Sequence, residues 1–295
     1  MQKAIKFVAQ ILRGKKDATF IFQRGRICAV NGPLRAEHAF PYDLDGACDA
    51  GALIRSAAAL DERDIVISQT KTRITIKQGA YKAQIPVKNE PYQYAPLTNE
   101  TDPTGWVGLD ALTKYTAESI RPFTRGVILQ NGRAYATNNA VLASLPGPQV
   151  PQCVIPARAI DIAAKMGATS VAIERNGIEF RAGDTATLAA QLVDAQPPDM
   201  RSFFDGGYAP APLPESVRVG FGKIKTGDSE LLEFRDGEMI CGNESYDIGE
   251  FPDGIFFKKA FALTLLDIQH FDMRPNQNSA MFSNGSMFGV ISRRK

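Results

Sequence analysis

The chain has 295 residues, of which 44% are hydrophobic and 22% are charged, the composition of an ordinary globular protein. Because 34 lysines and arginines are nearly balanced by 32 aspartates and glutamates, net charge gives no support for a general nucleic-acid coating or a membrane-surface role. The four cysteines are scattered, the two histidines have no partners at metal-ligand spacing, and no apolar run approaches membrane-spanning length. We therefore expect a reduced cytoplasmic protein without metal or cofactor.

The first ninety residues predict one unit, a helix followed by strands, that occurs twice. A helix is predicted from Lys3 to Leu12 because its apolar residues recur every three or four positions. Strands ATFIFQ, RICAVN and LRAEHAFPYDL follow, and a second helix from Ala50 to Leu60 precedes strands DIVISQT, TRITIKQG and YKAQIPVK. The segment NEPYQYAPLTNETDPTG is rich in Pro, Thr and Asn, which predicts a linker that runs over the surface.

The same pattern restarts twice beyond this linker. The second copy has a helix from Leu109 to Ile120, strands GVILQN and RAYATNN, and a helix from Ala157 to Met166 before strands SVAIER, GIEFRAG and TATLAAQLV. The third copy has a helix VRVGFGKIK with strands SELLEFRDG and EMICGNESYDI. Its second half has a helix FKKAFALTLLDI with strands HFDMRPN, SAMFSNG and SMFGVISRR.

Matching glycines give the period of the repeat. Gly25, Gly132 and Gly237 occupy the same place in three strand-turn-strand segments and are 107 and 105 residues apart. This period predicts an α+β fold of three tandem domains, residues 1–97, 98–205 and 206–295, each made of two helix-plus-antiparallel-strand units. A shorter solenoid repeat is the alternative, but the proline-rich linkers fall at the domain boundaries and not once per unit.

Patterns that indicate catalysis are missing. The two histidines fall in different predicted domains, so a serine or cysteine nucleophile beside a histidine would need long-range assembly that the sequence does not signal. The segment before Lys223 lacks the spacing of a phosphate-binding loop, and the acidic run from Asp43 to Asp49 has its glycine too early for a calcium loop. We therefore expect a protein that is not an enzyme.

Basic residues recur on or beside the predicted helices. Each of them alone is typical of a solvated surface, but the repeat would place equivalent helices on the same side of each sheet and line one face with cations. Such a face suits the phosphate backbone and carries no base readout. The predicted DNA-binding residues are Lys3, Lys6, Arg13, Lys15, Lys16, Arg55, Lys114, Arg121, Arg158, Lys165, Arg218, Lys223, Lys258 and Lys259, with Lys225 in the same set.

Three segments of the middle hundred residues, AYATNNAVLASLP, CVIPARAIDIAAKM and QLVDAQPPDMRSFF, resemble a known family. They are similar to the middle domain of the bacterial-type sliding clamp, the beta subunit of the replicative DNA polymerase. In that family a Thr-Asp-Gly-His-Arg-Leu turn precedes an Ile-Pro-Arg-Lys helix and a Leu-Ile/Val-Asp-Gly-x-Phe-Pro-Asp-Tyr segment. The residues in step are Thr137, Leu142, Ile155, Pro156, Leu192, Val193, Asp194, Pro198 and Asp199.

The resemblance implies a mechanism. Clamp domains carry helices inside and sheets outside, and two chains closing head to tail as a homodimer encircle double-stranded DNA without sequence specificity. By that analogy the region from Asp49 to Lys88 meets the region from Pro214 to Glu250 of another copy, and DNA polymerase and a separate clamp loader bind through a peptide pocket. The implied pocket residues are Thr137, Asn139, Val141, Leu142, Pro156, Val290 and Ile291.

The sequence also departs from the family pattern. Residues from Asn138 to Val141 replace the family's polar turn, Ala195 replaces a glycine, and the Met-Pro-Met ending is absent, so the pocket is expected to prefer another motif or to bind weakly. The short domains are typical of a phage or otherwise divergent version. Two rivals remain: a non-annular adaptor that binds polymerase or clamp-binding peptides without encircling DNA, and a β-rich hydrolase.

Overall fold

The computed structural model describes residues 1–15, 17–61, 63–90, 92–205, 207–209, 211–224, 230–273 and 278–294. The described chain is α+β, with antiparallel sheets and few helices, as the sequence predicts. Its contacts define two compact units. The first contains residues 1–103 and 158–192, and the second contains residues 104–157 and 193–295. The predicted middle domain therefore contributes to both units, and the division into three domains stays a prediction.

Short helices and strands alternate along the whole chain. The α-helices are α1 (Gln2–Ala9), α2 (Ala50–Ala58), α3 (Ala157–Met166), α4 (Glu215–Lys223) and α5 (Lys258–Thr264). The 3₁₀ helices are Gln10–Leu12, Pro103–Trp106, Leu109–Tyr115, Pro122–Arg125, Met200–Phe204 and Leu265–Asp267. The strands are β1 (Thr19–Gln23), β2 (Arg26–Asn31), β3 (Leu34–Ala39), β4 (Gly46–Asp49), β5 (Val66–Thr70), β6 (Arg73–Gln78), β7 (Tyr81–Lys88), β8 (Glu100–Thr101), β9 (Gly126–Gln130), β10 (Arg133–Thr137), β11 (Val141–Pro146), β12 (Cys153–Pro156), β13 (Ser170–Glu174), β14 (Gly177–Ala182), β15 (Ala186–Gln191), β16 (Ala211–Pro212), β17 (Leu231–Arg235), β18 (Glu238–Cys241), β19 (Glu244–Asp247), β20 (Gly254–Phe257), β21 (His270–Asp272), β22 (Ser279–Ser283) and β23 (Phe288–Arg294).

The first unit is built on one antiparallel sheet of eleven strands, in the order β5-β6-β7-β4-β1-β2-β3-β15-β14-β13-β8. Strands β3 and β15 join its two halves, with Ala36 opposite Leu188. Helix α1 packs on β2 and β3 through buried Ile5 and Val8, and the alternation of Phe20 and Phe22 on β1 supplies the core beneath the helices. Periodic apolar positions thus decide which face each element buries.

The second unit is built on a sheet with the path β12-β9-β10-β11-β23-β20-β17-β18-β19, and strands β22, β21 and β16 branch from β23. Strand β23 pairs with β11 so that Val290 lies opposite Leu142. In the described residues no helix is long and apolar enough to span a membrane.

The bounds predicted for helix α3 are confirmed. The prediction of a helix from Leu109 to Ile120 is wrong in helix type and in length. The structure has a 3₁₀ helix that ends at Tyr115, where Thr116 turns to an extended conformation (φ −82°, ψ 161°). The Thr116 N–H and hydroxyl both donate to the carbonyl oxygen of Thr113, at 3.1 and 2.6 Å, and so close the helix. Ile120 is 96% exposed, so it does not extend the buried stripe.

None of the described residues from 92 to 105 is buried, in agreement with the predicted surface linker, although β8 within this segment pairs with β13 and the Arg35 guanidinium lies 3.1 Å from the centre of the Tyr94 ring. One further prediction needs correction. The segment EMICGNESYDI, predicted as one strand, forms two strands, β18 and β19. Gly242, with a φ of +62°, supplies the tight turn between them.

Candidate functional site: an apolar groove and a set of basic helices

A small groove lies in the second unit beside the paired strands β11 and β23. It encloses about 120 Å³ and combines apolar walls with a polar rim. The lining residues are Arg121, Phe123, Thr137, Asn139, Ala140, Val141, Leu142, Pro198, Met200, Phe203, Val290 and Ser292. A concave apolar surface with a few polar groups is typical of a ligand or peptide site.

The turn between β10 and β11 forms one side of the groove and is held by its own side chains. The Thr137 hydroxyl donates to the Val141 carbonyl oxygen at 2.7 Å. The Asn138 side-chain oxygen accepts from the N–H groups of Ala140 and Val141, at 3.0 and 2.8 Å. Asn139 is left-handed, with a φ of +72°, a conformation that Asn tolerates well. The side chains of Thr137 and Asn138 therefore hold this turn through hydrogen bonds to its own backbone.

The floor of the groove is part of a hydrophobic core. Leu142 is only 7% exposed and packs in one cluster with Ile128, Tyr135 and Met200. Tyr135 is buried, and this burial raises the pKa of its hydroxyl. Leu142 thus contributes to the groove and to the stability of the unit at the same time.

Buried Gln130 positions the opposite wall. Its side-chain amide donates to the Pro198 carbonyl oxygen at 3.3 Å, and its oxygen accepts from the Met200 N–H at 3.0 Å. Asp199 begins the following 3₁₀ helix by accepting from the Arg201 N–H at 3.0 Å. Hydrogen bonds from Arg201 lower the pKa of the exposed Asp199 carboxyl. These contacts hold the segment that carries Phe203, which is 54% exposed at the rim.

Arg121 is an exposed cation at the rim of the groove. The Arg121 guanidinium donates to the Asn139 side-chain oxygen at 3.2 Å. Arg121 is predicted as a DNA-binding residue beside a helix, and the structure places it just before the 3₁₀ helix Pro122–Arg125, where it lines the groove. An anionic group on a groove ligand would therefore meet Arg121.

Most of the implied pocket residues line this groove. Thr137, Asn139, Val141, Leu142 and Val290 do so. Two others do not: Pro156 lies on β12 opposite Gly126, and Ile291 is buried on β23 opposite Val141.

Sequence reasoning missed the wall formed by Phe123, Pro198, Met200 and Phe203. A signal was present, because the segment PPDMRSFF was part of the resemblance, but its contact with the turn is not local in sequence.

The predicted DNA-binding residues fall into two groups by their exposure. The exposed ones among the described residues are Lys3, Lys6, Arg13, Lys15, Arg55, Lys114, Arg121, Lys165, Lys223 and Lys259. Lys258, Arg158 and Arg218 are half-buried. Lys16 and Lys225 lie outside the described residues.

Three of these cations make fixed contacts within their units. Arg158, at the start of α3, donates to the Gln10 carbonyl oxygen at 2.6 Å. Arg218 on α4 donates to the carbonyl oxygens of Leu265, at 2.8 Å, and Ile268. Lys114 forms an ion pair with Asp267, which also accepts from the hydroxyl of buried Tyr115. These three residues join helices together, so their hydrogen-bond donors are already engaged within the protein.

The cleft between α1 and α3 in the first unit holds several of the exposed lysines. It measures about 670 Å³ and is lined by Lys3 and Lys6 from α1, Lys165 from α3 and His38 from β3. His38 is only 8% exposed, and burial is the main cause that lowers its pKa. Among the described residues, no group of three or more His, Cys, Asp or Glu side chains could hold a metal ion.

Comparisons in sequence found no family model and no curated protein that matches the chain. Solved structures match over its whole length. The beta subunit of DNA polymerase III from Pseudomonas aeruginosa is 14% identical with a TM-score of 0.79, and the sliding clamp from Caulobacter crescentus is 17% identical with a TM-score of 0.78. Each alignment covers 100% of this chain and 97% of the other.

The beta clamp from Helicobacter pylori bound to a DNA ligase peptide is 12% identical, with a TM-score of 0.74 and the same coverage of both chains. The chain therefore has the fold of the bacterial sliding clamps at low sequence identity.

Proposed function

We propose that this protein is a sliding clamp, a processivity factor that encircles duplex DNA and tethers a DNA polymerase, and that it is not an enzyme. The observation that carries the proposal is the clamp fold over the whole chain, at a TM-score of 0.79 with 97% of the Pseudomonas aeruginosa protein covered. A match that includes nearly all of both chains supports a shared assembly, since no large part of that clamp lacks a counterpart here.

The DNA contact is proposed for the exposed cations of the helices. Lys3, Lys6, Lys165, Lys223 and Lys259 are exposed and lie on four different α-helices. Lysine side chains are long and flexible, so they can contact backbone phosphates whatever the base sequence and allow the protein to move along the duplex. The three-domain division, residues 1–97, 98–205 and 206–295, is proposed as the repeat that presents these helices to the DNA.

Ring closure is proposed through the free edges of the two sheets. Strand β5 ends the sheet of the first unit, and β19 ends the path of the sheet of the second. Residues 63–88 hold six basic residues and one acidic residue, whereas residues 230–253 hold one basic and eight acidic residues. Opposite charges on the two edge regions favour a head-to-tail contact between two copies and disfavour like edges meeting.

A proline on the edge strand tests ring closure. The turn at Gly242 and Asn243 closes on the pair Cys241 and Glu244, so the next pair, Ile240 and Ser245, is not hydrogen-bonded, and the Ser245 N–H points to the free edge. Ser245→Pro removes that donor and leaves the ladder to β18 intact. We expect the Ser245→Pro protein to be a monomer by light scattering, while the control Ser245→Ala remains a dimer. A wild-type protein that is monomeric at micromolar concentration would contradict the ring.

Encirclement is tested by retention on DNA. The protein is bound to nicked circular DNA, isolated at high salt, and the circle is then cut. We expect the wild-type protein to stay on the circle and to leave the linear DNA, because topology and not affinity holds a ring. Ser245→Pro should not be retained on either. Salt-sensitive binding that is indifferent to cutting would instead indicate the non-annular adaptor.

The groove is proposed as the site for a peptide of the polymerase and of the clamp loader. Support comes from its apolar walls and from the peptide that the Helicobacter pylori clamp holds. Phe203→Ala is the sharpest variant, because Phe203 is 54% exposed and its loss spares the core, whereas Leu142→Asp would place a charge in the core.

In a pull-down or anisotropy assay with polymerase or its peptide, Phe203→Ala should weaken binding about tenfold or more and leave the dimer intact. The control Val107→Ala removes an apolar side chain that is 82% exposed in the same unit and does not line the groove. If Phe203→Ala and Val107→Ala bind the polymerase peptide equally well, the groove is not the peptide site.

A further inference from the structure

The cleft between α1 and α3 has the composition of an anion site. Three lysines, Lys3, Lys6 and Lys165, line it from two helices, and no aspartate or glutamate is among the described residues that line it. Its floor includes Phe7 and His38, whose ring centres are 5.7 Å apart. The volume of about 670 Å³ is large enough for a phosphate group with part of the chain that carries it.

His38 distinguishes this cleft from a surface with scattered lysines. His38 is only 8% exposed, and its Nδ1 lies 2.7 Å from the Ala39 carbonyl oxygen, so Nδ1 must be the protonated donor. Among the described residues Nε2 has no hydrogen-bond partner, although the ring lines the cleft. One nitrogen is therefore fixed as a donor to the backbone, and the other is available to a ligand.

We propose that this cleft binds a phosphate group, with Lys3, Lys6 and Lys165 supplying the charge and protonated His38 donating from Nε2. The inference deepens the proposed function, since a backbone phosphate of duplex DNA is the expected source, but free phosphate has the same chemistry. The cleft then holds one backbone phosphate at a defined position on the DNA-contacting surface (the DNA track), whereas the other exposed lysines contact phosphates without a fixed position.

The neighbours of His38 disfavour its protonation when no anion is bound. Burial, the Lys3 ammonium, the Arg26 guanidinium and the amino group of Met1 all lower the pKa of His38, and the hydrogen bond to Ala39 opposes them. Lys6 and Lys165 line the same cleft and add positive charge. The negative charge of a bound phosphate opposes this field, so it should raise the pKa of His38, and the affinity for a phosphodiester, whose own charge does not change in this range, should increase as the pH falls.

The chain itself offers a clean measurement. Its two histidines, His38 in the first unit and His270 in the second, give two imidazole signals in a protein labelled with ¹³C-histidine. Inorganic phosphate and a short duplex DNA are titrated separately, and DNA binding is followed in parallel by anisotropy. We expect both ligands to shift the His38 signal and raise its pKa while the His270 signal stays in place.

Two exposed cations provide matched variants. Lys165→Glu should remove the His38 response and weaken phosphate binding about tenfold, the loss of one charge-assisted contact. Arg175→Glu, in the turn between β13 and β14 of the same unit, makes the same charge change away from the cleft and should leave the His38 response unchanged.

The possible outcomes test the cleft proposal and the clamp proposal separately. DNA binding without a His38 response overturns the cleft proposal and leaves the clamp proposal standing. A His38 response to inorganic phosphate in a protein that does not bind DNA supports the cleft and contradicts its role on the DNA track. A response to an acidic peptide but not to phosphate or DNA overturns the proposal in favour of a protein ligand.

Discussion

The helix pair α1 and α3 in the first unit and the pair α4 and α5 in the second are each joined by an arginine, but the space between the helices is filled differently. Arg158 at the start of α3 bonds the carbonyl oxygen of Gln10 beyond α1, and Arg218 on α4 bonds those of Leu265 and Ile268 beyond α5. In both cases an arginine satisfies carbonyl groups that the end of a helix leaves free.

The space between the helices differs. Between α4 and α5 the rings of Phe221 and Phe261 are 5.9 Å apart, and Phe261 also meets three further phenylalanines. Between α1 and α3 the space is an open cleft with three lysines and His38. The same kind of arginine contact therefore accompanies an aromatic core in one unit and a charged cleft in the other.

The aromatic core between α4 and α5 predicts the largest change in stability. The Phe261 ring is fully buried, with the rings of Phe221, Phe234, Phe256 and Phe271 at 5.3 to 6.1 Å. Phe261→Ala should lower the free energy of unfolding by about 3–5 kcal/mol, through lost burial and the cavity left behind.

Urea unfolding measures this change in stability. Leu266→Ala, at a position 89% exposed in the same region, should change stability by less than about 0.5 kcal/mol. Similar losses for both variants would contradict the contrast between a filled and an open helix pair.

Loss of the arginine contacts predicts an intermediate loss of stability, larger for Arg218 than for Arg158. Arg218→Ala leaves two carbonyl groups without their donor and should cost about 2–3 kcal/mol, whereas Arg158→Ala affects one carbonyl group and should cost about 1–2 kcal/mol. Thermal and urea unfolding give both values. Lysine at position 218 should recover part of the loss, because its single ammonium group cannot form the same fork. An unchanged stability for Arg218→Ala would mean that water replaces the guanidinium at no cost.

The pH dependence of stability predicts the smallest effect. Burial, as the largest cause, lowers the pKa of His38 below its ordinary value of 6.5, so the unfolded chain takes up the proton before the folded chain does. The stability that neutral His38 contributes is complete above pH 6.5 and is lost as the pH falls from there through the folded pKa.

His38→Asn retains a donor for Ala39 and should remove this part of the pH profile of unfolding. His270→Asn in the second unit serves as the control. If the wild-type and His38→Asn profiles are parallel below pH 6.5, His38 is not a buried neutral imidazole.

Local patterns were predicted well from the sequence. The apolar stripe of α3 predicts its bounds, the glycine turns predict most hairpins, and the resemblance points to the turn from Thr137 to Val141, which lines the groove. The predicted helix at Leu109 failed because an apolar spacing does not report the hydrogen bonds by which Thr116 ends the helix.

The elements, their period and the α+β class follow from the sequence, since side-chain periodicity and turn residues act over a few positions. Tertiary structure alone decided that Arg158 contacts Gln10, which is 148 residues away, that Arg121 faces the groove, and that His38 lies beneath lysines of two helices. The physical reason is that each of these roles depends on an acceptor or a charge supplied by a distant segment, and a helical cation looks the same in sequence whether it caps a helix or faces solvent.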